Sequence, residues 1–175
     1  RRAFNYGKPR RDLSLASRNG SGLGFVIADP GRDLHWIEEP VAQENLLGHA
    51  KVREMSPTPI QAGENWWFPR GFAEAIAAGA SDFIMPDLMK CGGVTGWLRI
   101  AGQAEAASIP MSSHLFAEAS SHMLAVTPTA HWLEVLDLAR AVLAEPIKIV
   151  DGAVTARGPG LGLIWDEAAV TKYLV

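Results

Sequence analysis

The stretch Met111-Ser112-Ser113-His114 decides how the rest of this 175-residue sequence is interpreted. The short apolar segment that leads into it, residues 107–111, is typical of a buried strand. The stretch itself ends in two small hydroxyl residues and a histidine. Because a polar residue in this place lies at the carboxyl end of its strand, His114 is a candidate for chemistry.

Four other apolar segments end in an acidic residue in the same way. They are residues 34–37 before Glu38, 59–63 before Glu64, 83–86 before Asp87 and 131–133 before Glu134. Positions 38, 64, 87, 114 and 134 are 26, 23, 27 and 20 residues apart. Such intervals fit one strand plus the crossover helix that parallel neighbours require. The sequence therefore predicts an α/β fold, a partial (β/α) barrel of the TIM-barrel type, with its active site at the carboxyl ends of the strands.

The length limits how much of a barrel this chain contains. A complete barrel of eight units takes about 250 residues, whereas five strand ends predict roughly the last five βα units, within residues 34–145. Residues 146–175 are predicted to form a C-terminal segment with a hairpin at the Asp-Gly turn, 151–152. Helices are predicted over residues 43–55, 70–78, 94–107, 117–125, 136–143 and 166–173.

Residues 1–33 differ in composition from the rest. Up to Arg18 they contain six basic residues against one acidic residue, and the turn-forming sequence Asn-Gly-Ser-Gly follows at 19–22. We expect this segment to be poorly ordered. A nucleic-acid-binding arm is the alternative interpretation of its charge.

The composition argues against several classes of partner. A net charge of −3 gives no general reason to expect nucleic acid or an anionic membrane as a partner. The single cysteine, Cys91, excludes an internal disulfide framework and suits a reducing compartment. No apolar run reaches the roughly 20 residues of a membrane span, and no signal peptide is recognisable. We therefore expect a cytoplasmic protein.

The acidic residues at the strand ends suggest a metal site and a proton-transfer pair. Glu38 and Glu64 suit Mg²⁺, which prefers carboxylate oxygens and keeps waters and substrate in its coordination sphere. Asp87 and His114 lie on adjacent strand ends, where the carboxylate can fix the imidazole tautomer and leave the other nitrogen to move a proton. The alternatives are ordinary salt-bridge carboxylates and a structural histidine.

Glu134 completes the set of five. As a carboxylic acid it can donate a hydrogen bond to developing negative charge, or it can be an ordinary surface residue. Together the five residues predict proton abstraction next to a carboxylate, through an enediolate. Lys90 is a weaker candidate for a rim cation or base, and residues 66–68 (Trp-Trp-Phe) are a candidate wall for an aryl substrate or a cap on the barrel.

With these residues identified, the chain resembles the mandelate racemase branch of the enolase superfamily from about Asp33 to Val175. Five phrases carry the resemblance: Trp36-Ile37-Glu38-Glu39-Pro40, Gly63-Glu64-Asn65-Trp66, Met85-Pro86-Asp87 with Lys90, Ser112-Ser113-His114-Leu115-Phe116 and His131-Trp132-Leu133-Glu134. The serine–histidine and tryptophan–glutamate phrases are typical of that branch.

The resemblance implies a role for each strand-end residue. Glu38 and Glu64 would be two of three Mg²⁺ ligands, His114 with Asp87 would exchange the α-proton of an (R)-2-hydroxy acid, and Glu134 would bond the substrate carboxylate. Two further residues, Asn65 and Ser113, would neighbour the site without an assigned role. The resemblance also implies a homo-oligomer in the full-length family.

Some features of that branch have no counterpart in this sequence. An N-terminal capping domain, a Lys-x-Lys base and the third metal ligand are not recognisable. Asp12 lies 26 residues before Glu38 but lacks an apolar lead-in, so its spacing is interpreted as coincidence. We expect residues 1–33 to be foreign to the barrel. Three functions stay open: a Mg²⁺-dependent racemase of mandelate-like acids, a sugar-acid dehydratase of the same branch, and a truncated barrel without activity.

Overall fold

The computed structural model describes residues 4–5 and 34–174 of the chain. The expected low order of residues 1–33 concerns positions that, apart from the backbone of 4–5, lie outside the described residues. None of the helices in the described part is long and apolar enough to cross a bilayer.

The described chain alternates short strands with helices. The strands are β1 (Phe4–Asn5), β2 (Ile37–Glu38), β3 (Ile60–Ala62), β4 (Phe83–Ile84) and β5 (Ala153–Val154). The helices are α1 (Leu46–Met55), α2 (Phe68–Ala77), α3 (Gly93–Ala106), α4 (Ala117–Ala125) and α5 (Glu167–Thr171), with a 3-10 turn at Arg140–Val142 before β5.

The strands β2, β3 and β4 form a parallel sheet in chain order. The sheet continues through parallel bridges from Ile84 to Met111 and from Met111 to Ala130. Five successive segments therefore run in the same direction, with helices α1, α2, α3 and α4 as the four crossovers between them. This arrangement confirms the predicted α/β fold and is consistent with a partial TIM barrel.

The predicted strand over residues 107–111 contributes only its last two residues to the sheet. Ser108 has a left-handed φ of 55°, and the Ile109 amide donates to the carbonyl of Ala104 at 2.9 Å. Most of this segment therefore closes helix α3, whereas the Pro110 carbonyl accepts the Ile84 amide and Met111 forms the two parallel bridges. The apolar residues that suggested a strand here instead follow the end of a helix and close it.

The core lies between this sheet and the helices packed on its outer face. Ile84 and Met111 from the sheet belong to one core cluster with Phe72 of α2 and Trp97 of α3, and all four are fully buried. The Trp97 indole N–H donates to the Thr127 hydroxyl at 2.9 Å, so its polar atom is satisfied inside the core. Removing a side chain of this size from such a core typically costs 3–5 kcal/mol, roughly a third of a domain's stability.

The helix predictions hold except for one. α4 begins and ends where the sequence predicts, Gly79 follows α2 with a left-handed φ of 64°, and Asp166 caps α5 through the Ala169 amide. The helix predicted over residues 136–143 is wrong, because only Arg140–Val142 form a turn.

The backbone beyond that turn is used for pairing instead of a helix. Leu143 forms an antiparallel bridge with Trp165, and the Ala144 amide donates to the Ile164 carbonyl. Leu136 and Leu138, which suggested a helix, are 49% and 68% exposed and are not packed in the core.

The predicted Asp-Gly turn is present, but its hairpin is minimal. Asp151 and Gly152 both have positive φ, and Val150 bridges Ala153 across the turn. The strand that follows the turn, β5, pairs antiparallel with β1 and not with the residues before the turn.

Cys91 should be inert toward thiol reagents in the folded chain. Its side chain is fully buried, and burial, with the Asp87 charge as the next cause, raises the pKa of the thiol to about 11. Since the thiolate is the reactive form, we expect almost no reaction with a disulfide reagent near pH 8 and stoichiometric reaction in denaturant. Rapid labelling of the native chain would contradict this burial, and a Cys91→Ala variant supplies the blank.

Candidate active site

The five predicted residues lie at one edge of the parallel sheet, just beyond the ends of their strands. Glu38 ends β2, Glu64 lies two residues past β3, and Asp87 pairs in parallel with His114 across the next two segments. The neighbouring segment, which starts with the bridge at Ala130, brings Glu134 to the same edge. We refer to this edge as the rim.

Asp87 and His114 form the hydrogen-bonded pair that the sequence predicts. His114 Nδ1 lies 2.9 Å from Asp87 Oδ2. The other Asp87 oxygen accepts the backbone amides of Met89 and Lys90 at 2.8 and 3.1 Å, and only 3% of this residue is exposed. An ionised carboxylate only accepts, so Nδ1 carries a proton and Nε2 is the nitrogen turned to the rim.

Glu64 lies on the other side of the same imidazole. Its Oε2 is 3.0 Å from His114 Nε2, so the ring is held between two carboxylates. A neutral imidazole has a single N–H and can donate to only one of the two carboxylates. An interaction that draws Oε2 away from the ring would therefore leave Nε2 free to accept a proton.

Glu38 lies at the exposed end of β2 and experiences repulsion from the other rim carboxylates. Loss of water around the group raises its pKa, and the charges of Glu134 and Glu64 raise it further. A hydrogen bond from the Trp36 indole, at 3.3 Å, acts in the opposite direction. Carboxylates that repel one another in this way form an environment that a divalent cation would stabilise.

The rim fits the chemistry of Mg²⁺ through two of its residues. Glu38 and Glu64 supply the carboxylate oxygens that this ion prefers, and Mg²⁺ commonly takes only one or two carboxylates from the protein. Among residues 34–174, no three histidine, cysteine or acidic side chains are close enough together to hold a metal. The fit therefore rests on two ligands and on the repulsion that a cation would relieve.

Glu134 is anchored to the strand end that carries His114. Its Oε2 accepts the Leu115 amide at 2.7 Å, and its own amide donates to the Ser113 hydroxyl at 3.0 Å. Leu115 has a left-handed φ of 51°, which this hydrogen bond helps to hold. One oxygen of Glu134 is thus committed to the backbone, and Oε1 is the atom left for a ligand.

The sequence analysis did not identify Glu39 and Gln61 as site residues. Glu39 contacts Gly63 and Asn65, and Gln61 accepts the Ser112 hydroxyl at 2.9 Å. A signal for Glu39 was present, because it directly follows a candidate ligand. Gln61 lies inside a buried strand, where only the tertiary structure brings Ser112 beside it.

The family model described as "Enolase C-terminal domain-like" matches residues 18–169. This match confirms the predicted kinship with the enolase superfamily, and it begins before Asp33, where the resemblance in the sequence starts.

The relatives differ in the reactions they are named for. A Bradyrhizobium enolase crystallised with magnesium and mandelic acid is 76% identical, with a TM-score of 0.80, over 82% of this chain and 40% of that one. The D-galactarolactone cycloisomerase of Agrobacterium fabrum is 34% identical over 82% of this chain and 43% of that protein. The L-talarate/galactarate dehydratase of Salmonella typhimurium is 31% identical over 78% and 35%, respectively.

These comparisons establish a family and its metal but not one reaction. Magnesium, the predicted cofactor, is present in several of the solved relatives. The chain spans about two fifths of the length of the curated relatives it matches first.

His131, which lies three residues before Glu134, should make the stability of the fold sensitive to acid. Its ring packs at a tilt against Phe83, with ring centres 4.6 Å apart, and contacts the Ser112 hydroxyl at 3.3 Å. Burial, with His35 as the second cause, lowers the pKa of His131. The unfolded chain then binds the proton first, so the free energy of unfolding falls as pH drops below about 6.5. His49, buried in α1, shifts in the same direction.

Urea unfolding at about pH 7.5 and 5.5 measures this dependence. His131→Gln should reduce the loss of stability between the two values, whereas His122→Gln, on α4, should keep the wild-type loss. An unchanged dependence in the His131 variant would show that its burial does not govern the acid response.

Proposed function

The chain belongs to the enolase C-terminal domain-like family, and on that premise we propose that it carries the proton-transfer site of a Mg²⁺-dependent enzyme acting on a 2-hydroxycarboxylate. The reaction we infer is exchange of the α-proton of a mandelate-like acid, as in a racemase. The observation that carries this proposal is the placement of His114 between Asp87, at 2.9 Å, and Glu64, at 3.0 Å.

His114 is the group that moves the proton in this proposal. Asp87 holds Nδ1 and stabilises the imidazolium that forms when Nε2 takes the α-proton. Asp87 is itself fixed by two backbone amides, so the ring keeps its orientation while its charge changes. A general base of this kind typically contributes 10²–10⁴-fold to a rate.

Glu134 and the two candidate ligands would handle the negative charge. Glu134 Oε1, as the acid form, would donate to the substrate carboxylate while Oε2 stays on the Leu115 amide. Magnesium, held by Glu38 and Glu64, would supply the positive charge that stabilises an enediolate.

An aryl substrate has the more specific support. Trp67 and Phe68, next to Glu64, are 59% and 56% exposed, with ring centres 6.1 Å apart, and they offer an apolar surface beside the acidic rim. The Bradyrhizobium relative at 76% identity was crystallised with mandelic acid. Both observations favour mandelate over a sugar acid.

A sugar-acid dehydratase is the second candidate. Relatives named L-talarate/galactarate dehydratase and D-gluconate dehydratase are each 31% identical to this chain. The same Asp87–His114 pair would serve, with the imidazolium assisting loss of a β-hydroxyl group.

Exchange of the α-proton in D₂O tests the proposal directly. We expect the chain to exchange the α-proton of (R)-mandelate and not of (S)-mandelate, and only with Mg²⁺, because His114 would address one face. His114→Asn should lower the rate by about 10²–10⁴-fold. Proton NMR of both isomers, with and without Mg²⁺, measures this.

His122→Asn is the matched control, since it makes the same change on α4. Exchange that survives in His114→Asn would remove His114 from its role, and no exchange of either isomer would contradict the racemase. Conversion of galactarate or gluconate to a 2-keto-3-deoxy acid, without mandelate exchange, would establish the dehydratase instead.

A further inference from the structure

We propose that Asn65 is a positioning residue that fixes the orientation of Glu64 and links it, through Lys90, to the Asp87–His114 pair. This inference rests on the proposed function, because the orientation matters for a Glu64 that binds Mg²⁺. It gives a role to Asn65 and Lys90, which the sequence places beside the site without one.

The side-chain amide of Asn65 is bonded at both of its polar atoms. Nδ2 donates to Glu64 Oε1 at 2.8 Å and to Glu39 Oε2 at 3.2 Å, and Oδ1 accepts the Lys90 ammonium at 2.8 Å. A rotation by 180° would face Oδ1 against two carboxylates and the amino group against an ammonium. The charges around the amide therefore permit one orientation.

This orientation assigns the two oxygens of Glu64 to different partners. Oε1 is held by Asn65, and Oε2 points to His114 Nε2. A carboxylate tied at one oxygen keeps its plane, so Oε2 remains turned to the rim. Without Asn65, Glu64 could rotate and present either oxygen to a cation.

Glu39, the residue that follows β2, helps to hold the side-chain amide of Asn65. Its Oε1 accepts the Gly63 amide at 3.2 Å while its Oε2 accepts from Asn65. Glu39 has a left-handed φ of 39°, a conformation that is unfavourable for a residue other than glycine. The fold thus retains a strained residue at the position that holds Asn65.

Lys90 joins this network to the proton-transfer pair. Its backbone amide donates to Asp87 Oδ1 at 3.1 Å, while its ammonium holds Asn65. Its carbonyl accepts the Phe68 amide at 3.2 Å. One residue therefore fixes Asp87 through its backbone and Glu64 through its side chain, by way of Asn65.

Binding of Mg²⁺ to the 175-residue chain, measured by titration calorimetry, tests the inference. Asn65→Leu removes all three hydrogen bonds at nearly constant size and should weaken Mg²⁺ binding about 10–100-fold, as loss of a group that orients a ligand typically does. Lys90→Met leaves the amide bonded to both carboxylates and should have a smaller effect.

Asn45→Asp is the control for substitution of an asparagine. Asn45 caps α1 through the Gly48 amide, and aspartate caps a helix equally well, so Mg²⁺ affinity should not change. Urea unfolding establishes that each variant is folded. If Asn65→Leu does not fold, Asn65→Gln, which keeps the amide one methylene out of place, should show an intermediate loss of affinity.

The rate of mandelate exchange gives a second readout. If Glu64 is no longer held in one orientation, the Mg²⁺ concentration needed for half-maximal rate should rise, while the rate at saturating Mg²⁺ should stay within a few-fold of the wild-type rate. General destabilisation of the fold would not change the first quantity while sparing the second.

A folded Asn65→Leu that binds Mg²⁺ like the wild type would overturn the inference, even if exchange occurs. Wild-type binding that weakens in Asn65→Leu supports it even without exchange, which would count only against the proposed function. No Mg²⁺ binding by the wild type would overturn the inference together with the metal site.

Discussion

The parallel pairing of Asp87 with His114 is the constraint on which the rest of the site depends. Parallel strands point the same way, so the residues that follow their carboxyl ends meet at one edge. The same direction is kept from Ile37 in β2 to Ala130, across five successive segments. The charge of Glu134 therefore helps to raise the pKa of Glu38, 96 positions earlier in the chain, after the larger effect of burial.

The rim has features that work against stability. Of the six described non-glycine residues with positive φ, four lie there: Glu39, Phe68, Leu115 and Phe116. Strained backbone of this kind costs about 1–3 kcal/mol per residue and persists only where the surroundings impose it. Burial of the Glu38 carboxylate, followed by repulsion from Glu134 and Glu64, raises its pKa and is a further cost. A concentration of strained backbone and perturbed carboxylates at one edge of a sheet is typical of a functional site.

The packing of helices on the outer face of the sheet supplies the stability. α2 and α3 cover it with large buried side chains, among them Phe72 and Trp97. Ser112 and His114, two residues apart, contribute to different parts of the sheet, because the Ser112 hydroxyl bonds Gln61 inside it while His114 bonds Asp87 at the rim.

Hydrogen bonds between the rim residues are mostly made by groups close to the strand ends in sequence. Ser113 and Leu115, on either side of His114, bind the backbone and side chain of Glu134. Met89 and Lys90, just after Asp87, bind its carboxylate. The loops that carry the chemistry therefore also hold it in place, which reduces the reorganisation needed when charge moves.

The sequence by itself determined the order of the βα units, the ends of four helices to within two residues, and the five polar residues that lie at the rim. It could do so because polar residues at regular intervals after buried segments reflect a repeated local unit. It was wrong at residues 136–143 and over most of 107–111, where apolar composition does not distinguish a helix cap or an antiparallel bridge from regular structure.

Only the tertiary structure decided which rim residues touch. The sequence paired His114 with Asp87, but the contact with Glu64, the anchoring of Glu134 to Leu115 and the network around Asn65 depend on side-chain directions across different strands. Spacing along the chain fixes which edge of the sheet a residue reaches. Its partner there is fixed by strand register and rotamer, and these follow from packing of the whole sheet, which no local segment encodes.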